Sequence, residues 1–182
     1  VKEDADWTVV QRCRGGDRRA CEQLVLRYQK PVYNAALRLL RNPEDARDVA
    51  QTAFLKAFEH LADYDPRFKF YSWIYRIAVN EALDTLSSRK PLEEIGDDEP
   101  DEAAGPERLV DGEQTARAIE DALTRIKPEL RTVIVLRHFM HLSYQDMGDI
   151  LQLPEKTVKS RLHDARQLLR EALLRRGVVC HG

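Results

Sequence analysis

The stretch LSYQDMGDILQLPEKTVKSRL, residues 142–162, decides how this chain is read. Ser143, followed three residues later by Asp146, has the form of a capping box, with Asp in place of the usual Glu or Gln. Met147, Ile150 and Leu151 then give a short helix one apolar face, and Gly148 lets a crossing helix approach closely. Gln152-Leu153-Pro154 interrupts the pattern, with Leu153 expected inside. A second helix follows, with Val158, Leu162, Ala165 and Leu169 inward. Its outer face carries Lys156, Lys159, Ser160, Arg161, His163 and Arg166. A short helix, a tight turn and a longer basic helix form a helix-turn-helix. Its second helix has the charge and hydrogen-bonding groups to enter a DNA major groove.

Upstream, helical periodicity resumes from about Glu113. One stripe comprises Ala116, Ile119, Leu123 and Ile126; the next, opening near Pro128, comprises Leu130, Val133, Ile134 and Leu136. Residues 91–112 are different. Nine carboxylates lie there against Arg108 alone, with Pro91, Gly96, Pro100, Gly105 and Pro106 between them. Such a segment buries too little surface to offset its ordering entropy and is expected to be an extended linker, the first place a protease cuts. Without it the chain holds 28 basic and 22 acidic residues, so the overall charge of −2 conceals two mildly basic flanks.

The first flank is also helical. Gly15 and Gly16 mark a turn, and Asp17 precedes a stripe of Ala20, Leu24, Val25, Tyr28 and Val32. A kink or boundary is expected at Pro31. Asn42-Pro43-Glu44-Asp45 has the composition of a helix start. The helix that follows is apolar at Ala46, Val49, Ala50, Ala53, Phe54, Ala57, Phe58 and Leu61, and polar at Asp45, Asp48, Gln51, Thr52 and Lys56. Residues 63–69 read as a loop. Another helix runs from Phe70 to about Leu86, apolar at Trp73, Ile74, Ile77, Ala78, Ala82 and Leu86.

Around that loop, Arg67, Lys69, Phe70, Tyr71, Trp73, Tyr75 and Arg76 interleave cations with rings. Cations hold a phosphate backbone while rings stack unpaired bases, so the composition suits a single-stranded nucleic-acid site. Trp73 shares a face with Ile77 and is split between core and contact; Phe70, Tyr71 and Tyr75 are expected to face nucleic acid.

Three motifs in this order resemble the extracytoplasmic-function (ECF, group IV) branch of the sigma-70 family of RNA polymerase sigma factors. Residues 45–58 (DARDVAQTAFLKAF) look like the polymerase-binding helix. Residues 70–80 (FYSWIYRIAVN) resemble the promoter-melting, -10-reading segment, and residues 142–162 the -35-reading helix-turn-helix. The resemblance implies an all-α fold of two domains: a region 2 bundle over residues 1–90 and a region 4 helix-turn-helix domain over 113–182, joined by the acidic linker 91–112.

It further implies polymerase contact through Asp45, Asp48, Gln51, Thr52, Phe54 and Lys56. The -10 element would meet Arg67, Lys69, Phe70, Tyr71, Trp73, Tyr75, Arg76 and Asn80. The -35 element would meet Thr157, Lys159, Ser160, Arg161, His163 and Arg166. Implied partners are the clamp helices and beta flap of core RNA polymerase, promoter DNA and an anti-sigma factor. The chain departs from the family pattern at Lys156 and Gln152, where Gly is common, at Asp164, where a basic residue is frequent, and at Ser87 and Ser88 in a usually basic tail.

Catalytic signatures are lacking: there is no Gly-rich phosphate loop, nucleophile motif or metal set, so neither an enzyme nor a cofactor or small-molecule substrate is expected. His138 and His141, three apart, read as solvated side chains rather than a metal pair. Cys13, Cys21 and Cys180 are odd in number and widely spaced, which argues against a disulfide framework. No apolar run approaches the ~18 residues of a membrane span and no secretory leader is evident, so a cytoplasmic location is the default. Two alternatives stay open: a sigma-like adaptor or decoy that binds an anti-sigma factor without reading promoters, and a plain helix-turn-helix repressor.

Overall fold

In the computed structural model, residues 6–88 and 112–175 are described, and every regular element among them is helical. The acidic segment thus lies almost wholly outside the described residues. The first bundle comprises α1 (Trp7–Arg14), α2 (Arg18–Leu40), α3 (Pro43–Glu59) and α4 (Phe70–Ser88), with a 3₁₀ turn at Leu61–Asp63. Asp17 caps α2 by accepting from the backbone N–H groups of Arg19 and Ala20, and Asn42 caps α3 through Glu44 and Asp45. Pro31 ends nothing: α2 continues through it for nine more residues. Its flanking turns are held by packing, because Leu24, Val32, Ala35, Ala36 and Leu39 all face the interior.

A disulfide joins Cys13 to Cys21, with their Cα atoms 4.9 Å apart. The expectation against a disulfide is thereby corrected for this pair, while Cys180 lies outside the described residues. The Gly15–Gly16 turn, with Gly16 at φ 89°, folds α1 back along α2 and brings the last turn of one helix onto the first turn of the next.

The second group of helices is α5 (Gly112–Thr124), α6 (Pro128–Ile134), α7 (Tyr144–Leu151) and α8 (Glu155–Leu174), with a single π-helical stretch at Val135–Phe139. The Ser143–Asp146 capping box forms in both directions. Gly148 serves the turn rather than a crossing helix: a Cβ there would stand 2.8 Å from the carbonyl oxygen of Leu153. Gln152 takes the left-handed conformation, φ 53°, that ends α7.

The two groups pack together, α4 against α7 and the C-terminal half of α2 against α6 and the π-helical stretch. Arg131, 7% exposed, joins them from within. Its guanidinium donates to the carbonyl of Leu39 at the end of α2 (2.7 Å), and to those of Thr124 (2.9 Å) and Ile126 (3.2 Å) beside the end of α5. A cation among carbonyls at helix C-termini sits where the helix dipoles favour it. Burial, with Arg41 nearby, pulls its pKa below the ordinary arginine value. At the rim, Arg41 meets Asp121 at 3.2 Å, and the Arg38 guanidinium lies 3.8 Å from the centre of the Phe139 ring.

Candidate nucleic-acid and polymerase interfaces

On α3, the apolar residues Ala46, Val49, Ala53 and Ala57 turn inward, leaving Asp48, Gln51 and Lys56 exposed. Asp45 and Thr52 are half-buried. Phe54, grouped with the contact residues on sequence grounds, is 8% exposed and packs near Phe58, so it serves the interior. Leu55, which the sequence reading passed over, is 56% exposed on the same surface as Asp48, Gln51 and Lys56. Its signal was an apolar residue out of step with the stripe. Lys56 is held by Glu81 of α4, and that hydrogen bond raises the lysine pKa.

The cation–aromatic cluster divides in two. Phe70 is wholly enclosed, its ring centre 5.5 Å from that of Tyr28, 5.8 Å from Tyr64 and 5.8 Å from Trp73. Trp73 is also buried. Both rings are core, which corrects the expectation for Phe70. On sequence alone Phe70 reads as the head of an exposed basic loop; Tyr64, a few residues earlier, is what folds over it, its hydroxyl donating to the carbonyl of Phe68 at 2.6 Å. Arg67, Lys69 and Asn80 are exposed, and Tyr71 and Arg76 half-buried.

Tyr75 is buried for a different reason: its hydroxyl meets the Met140 sulfur of the second group at 3.4 Å. Burial pushes the Tyr75 phenol up to about 12. Beside it, Lys69 Nζ lies 3.0 Å from Asp146 Oδ1 and 3.1 Å from the Tyr71 hydroxyl. Its hydrogen bonds to Tyr71 and Asp146 raise the lysine pKa. Tyr71 is raised as well, by burial and its hydrogen bond to Asp146. For Asp146, burial works against the charge. Hydrogen bonds from Ser143, Tyr71 and Lys69 outweigh it and hold the carboxyl below its ordinary value. Asp146, half of the capping box that opens the helix-turn-helix, therefore also clasps the cation–aromatic cluster.

On α8, Val158, Leu162 and Ala165 are buried, Lys159, Ser160, His163 and Arg166 are exposed, and Thr157 and Arg161 are intermediate. Lys159 pairs with Glu155 at 2.6 Å and hangs over the Tyr144 ring at 5.2 Å. Arg166 donates to His138 Nε2 at 3.2 Å. Burial, then Arg166, Arg137 and His141, lower the pKa of His138, favouring the neutral ring that accepts this bond. Asp164 is exposed. Among the described residues, no group of three or more His, Cys, Asp or Glu is arranged to hold a metal ion, and no helix is long and apolar enough to cross a membrane.

A helix-turn-helix, a basic second helix and a cation–aromatic helix on a separate bundle together define a class of transcription factor. Residues 24–91 match the family Sigma-70 region 2, and residues 116–169 match Sigma-70, region 4. The RNA polymerase sigma-H factor of Pseudomonas aeruginosa is 33% identical over 185 residues, covering 95% of this chain and 96% of that protein. The ECF RNA polymerase sigma factor SigW of Bacillus subtilis is 32% identical, covering 90% of this chain and 94% of that one. CnrH, solved in complex with the cytosolic domain of CnrY, superposes with a TM-score of 0.72 at 27% identity, covering 93% and 97% of the two chains. RpoE of Bartonella quintana, solved with the anti-sigma factor NepR, shares the fold with a TM-score of 0.65 at 23% identity, over 84% and 96%. The chain belongs to the ECF branch of the sigma-70 family.

Proposed function

We propose that this sigma factor directs core RNA polymerase to its promoters with a division of labour among three helices. The observation that carries this reading is the sorting of side chains on α3, α4 and α8. Each helix keeps an apolar face for the interior and offers a different chemistry outside. Asp48, Gln51 and Lys56 on α3, with Asp45 and Thr52 at their margin and Leu55 beside them, bind the clamp helices of the polymerase. Lys69, Tyr71, Arg76 and Asn80 on and before α4, joined by Arg67, hold and open the -10 element. Tyr75 joins them once Met140 withdraws.

Lys159, Ser160, His163 and Arg166 on α8 read the -35 element, while Thr157 and Arg161 contact backbone. The beta flap meets the same domain. An anti-sigma factor holds the protein inactive; a related chain, CnrH, was solved bound to a protein domain, and the rings and cations used for promoters offer such a partner its surface. The protein acts in the cytoplasm and catalyses no reaction of its own.

Run-off transcription with purified core polymerase tests the reading. Wild type is expected to start transcripts at its own promoter, whereas Asp48→Ala and Gln51→Ala lose core binding with helicity unchanged. Core binding without promoter-dependent transcripts would instead favour the adaptor reading.

A further inference from the structure

The α1–α2 hairpin holds two sulfurs that promoter recognition does not use. Cys13 sits in the last turn of α1, 6% exposed, and Cys21 in the first turn of α2, partly exposed; a disulfide links them. The same short helix is tied to the loop that feeds α4. Arg14 donates to the carbonyl of Ala62 at 3.1 Å, and the Trp7 ring lies 6.2 Å from Tyr64. Tyr64 in turn packs on Phe70 and Trp73. At the other end of α1, Asp6 binds Arg27 and Tyr28 of α2. A sigma factor works beside RNA polymerase in a reducing compartment, where a disulfide is conditional rather than permanent; this step rests on the proposed site of action.

We propose that Cys13 and Cys21 form a reversible dithiol–disulfide site, oxidised by hydrogen peroxide, that sets how firmly α1 is held against the loop entering α4. The partly exposed Cys21 thiolate attacks the terminal peroxide oxygen, the O–O bond breaks, and water leaves after protonation, giving a sulfenic acid. The Cys13 thiol then attacks that sulfur, a second water leaves, and the S–S bond forms. Two thiols are oxidised and one hydrogen peroxide is reduced to two waters. A thiol reductant reverses the change. Because the link spans eight residues across a tight turn, it removes freedom from α1 in particular.

The test uses the full chain in a Cys180→Ser background. After reduction with dithiothreitol, two thiols should alkylate. After hydrogen peroxide, both should be lost, with a peptide cross-linked between Cys13 and Cys21, and dithiothreitol should restore them. Hydrogen exchange in α1 and in residues 61–69 should be roughly tenfold faster in the reduced form than in the oxidised form. Cys21→Ser, or Cys13→Ala where the first variant is poorly folded, should exchange like the reduced form under both conditions. Thiols that stay alkylatable after peroxide, oxidation that stops at Cys21 alone, or equal exchange in the two redox states would each overturn the proposal.

Discussion

Lys69 and Asp146, 77 residues apart in the chain, meet at 3.0 Å, and through them the helix-turn-helix lies on the segment assigned to the -10 element. The folded pKa of Asp146 is depressed, so its contribution is present above the unfolded carboxyl value of ~4 and is lost as pH falls through the folded value. Small-angle scattering should therefore show the two groups of helices separating as pH drops below that range. Asp146→Asn should raise the separated fraction at neutral pH, by no more than about fivefold. The ion pair itself is worth no more than about 1 kcal/mol, since Lys69 is half-exposed. A radius of gyration unchanged by the substitution would remove Asp146 from the clasp.

Arg131 should matter more to stability than any surface ion pair. Arg131→Met leaves three carbonyl oxygens without their donor in or near the interior, at a cost of roughly 2–4 kcal/mol in denaturant unfolding. Arg131→Lys, which keeps the charge but not the planar fork, should recover only part of that. A loss below about 0.5 kcal/mol for the methionine variant would mean that water serves the carbonyls equally well.

Phe70 is enclosed and its neighbour Tyr71 half-buried, and their alanine variants should separate cleanly. Phe70→Ala is expected to lose roughly 3–5 kcal/mol of stability, in keeping with an enclosed ring. Tyr71→Ala should leave the fold intact and impair opening of a duplex promoter, by about 1–3 kcal/mol of lost base stacking, more than binding to a template already melted at the -10 element. Equal defects on the two templates would assign Tyr71 to general DNA affinity.

On α8, Lys159 and Arg161 point to different sides because successive residues turn by ~100°. Lys159→Ala is expected to alter base preference within the -35 element by ~1–3 kcal/mol at particular pairs. Arg161→Ala should weaken all sequences alike and reduce the salt dependence by about one counterion. Binding of both variants to a randomised -35 library at two salt concentrations decides the matter, and exchanged roles would reverse the orientation of the helix.

Helix starts were the most legible part of the chain. Asn42 and Ser143 each take the capping role their residue type and position indicate, and the stripes of α3 and α8 turn inward, with Phe58 and Leu169 only half-buried. Partnership was not legible. Periodicity says that one face of a helix is covered but not by what, so Phe70 and Tyr71 look alike until Tyr64 closes over one of them. For the same reason the clasp of Asp146 on Lys69, the reach of Arg131 to Leu39, and the meeting of Cys13 with Cys21 depend on how helices return upon one another. Local composition does not carry that information.

Gly148 has a consequence for promoter architecture. Because a Cβ there would strike the Leu153 carbonyl at 2.8 Å, the turn that leads from α7 into α8 closes backbone against backbone. On the proposed assignment of α8 to the -35 element, this turn gives the reader a stiff base. When a base pair is inserted between the two elements, its extra length and rotation must be taken up by the DNA or by the separation of the two groups of helices. On that assignment, tolerance of spacer length is expected to lie in the joint between the two groups of helices rather than within the helix-turn-helix.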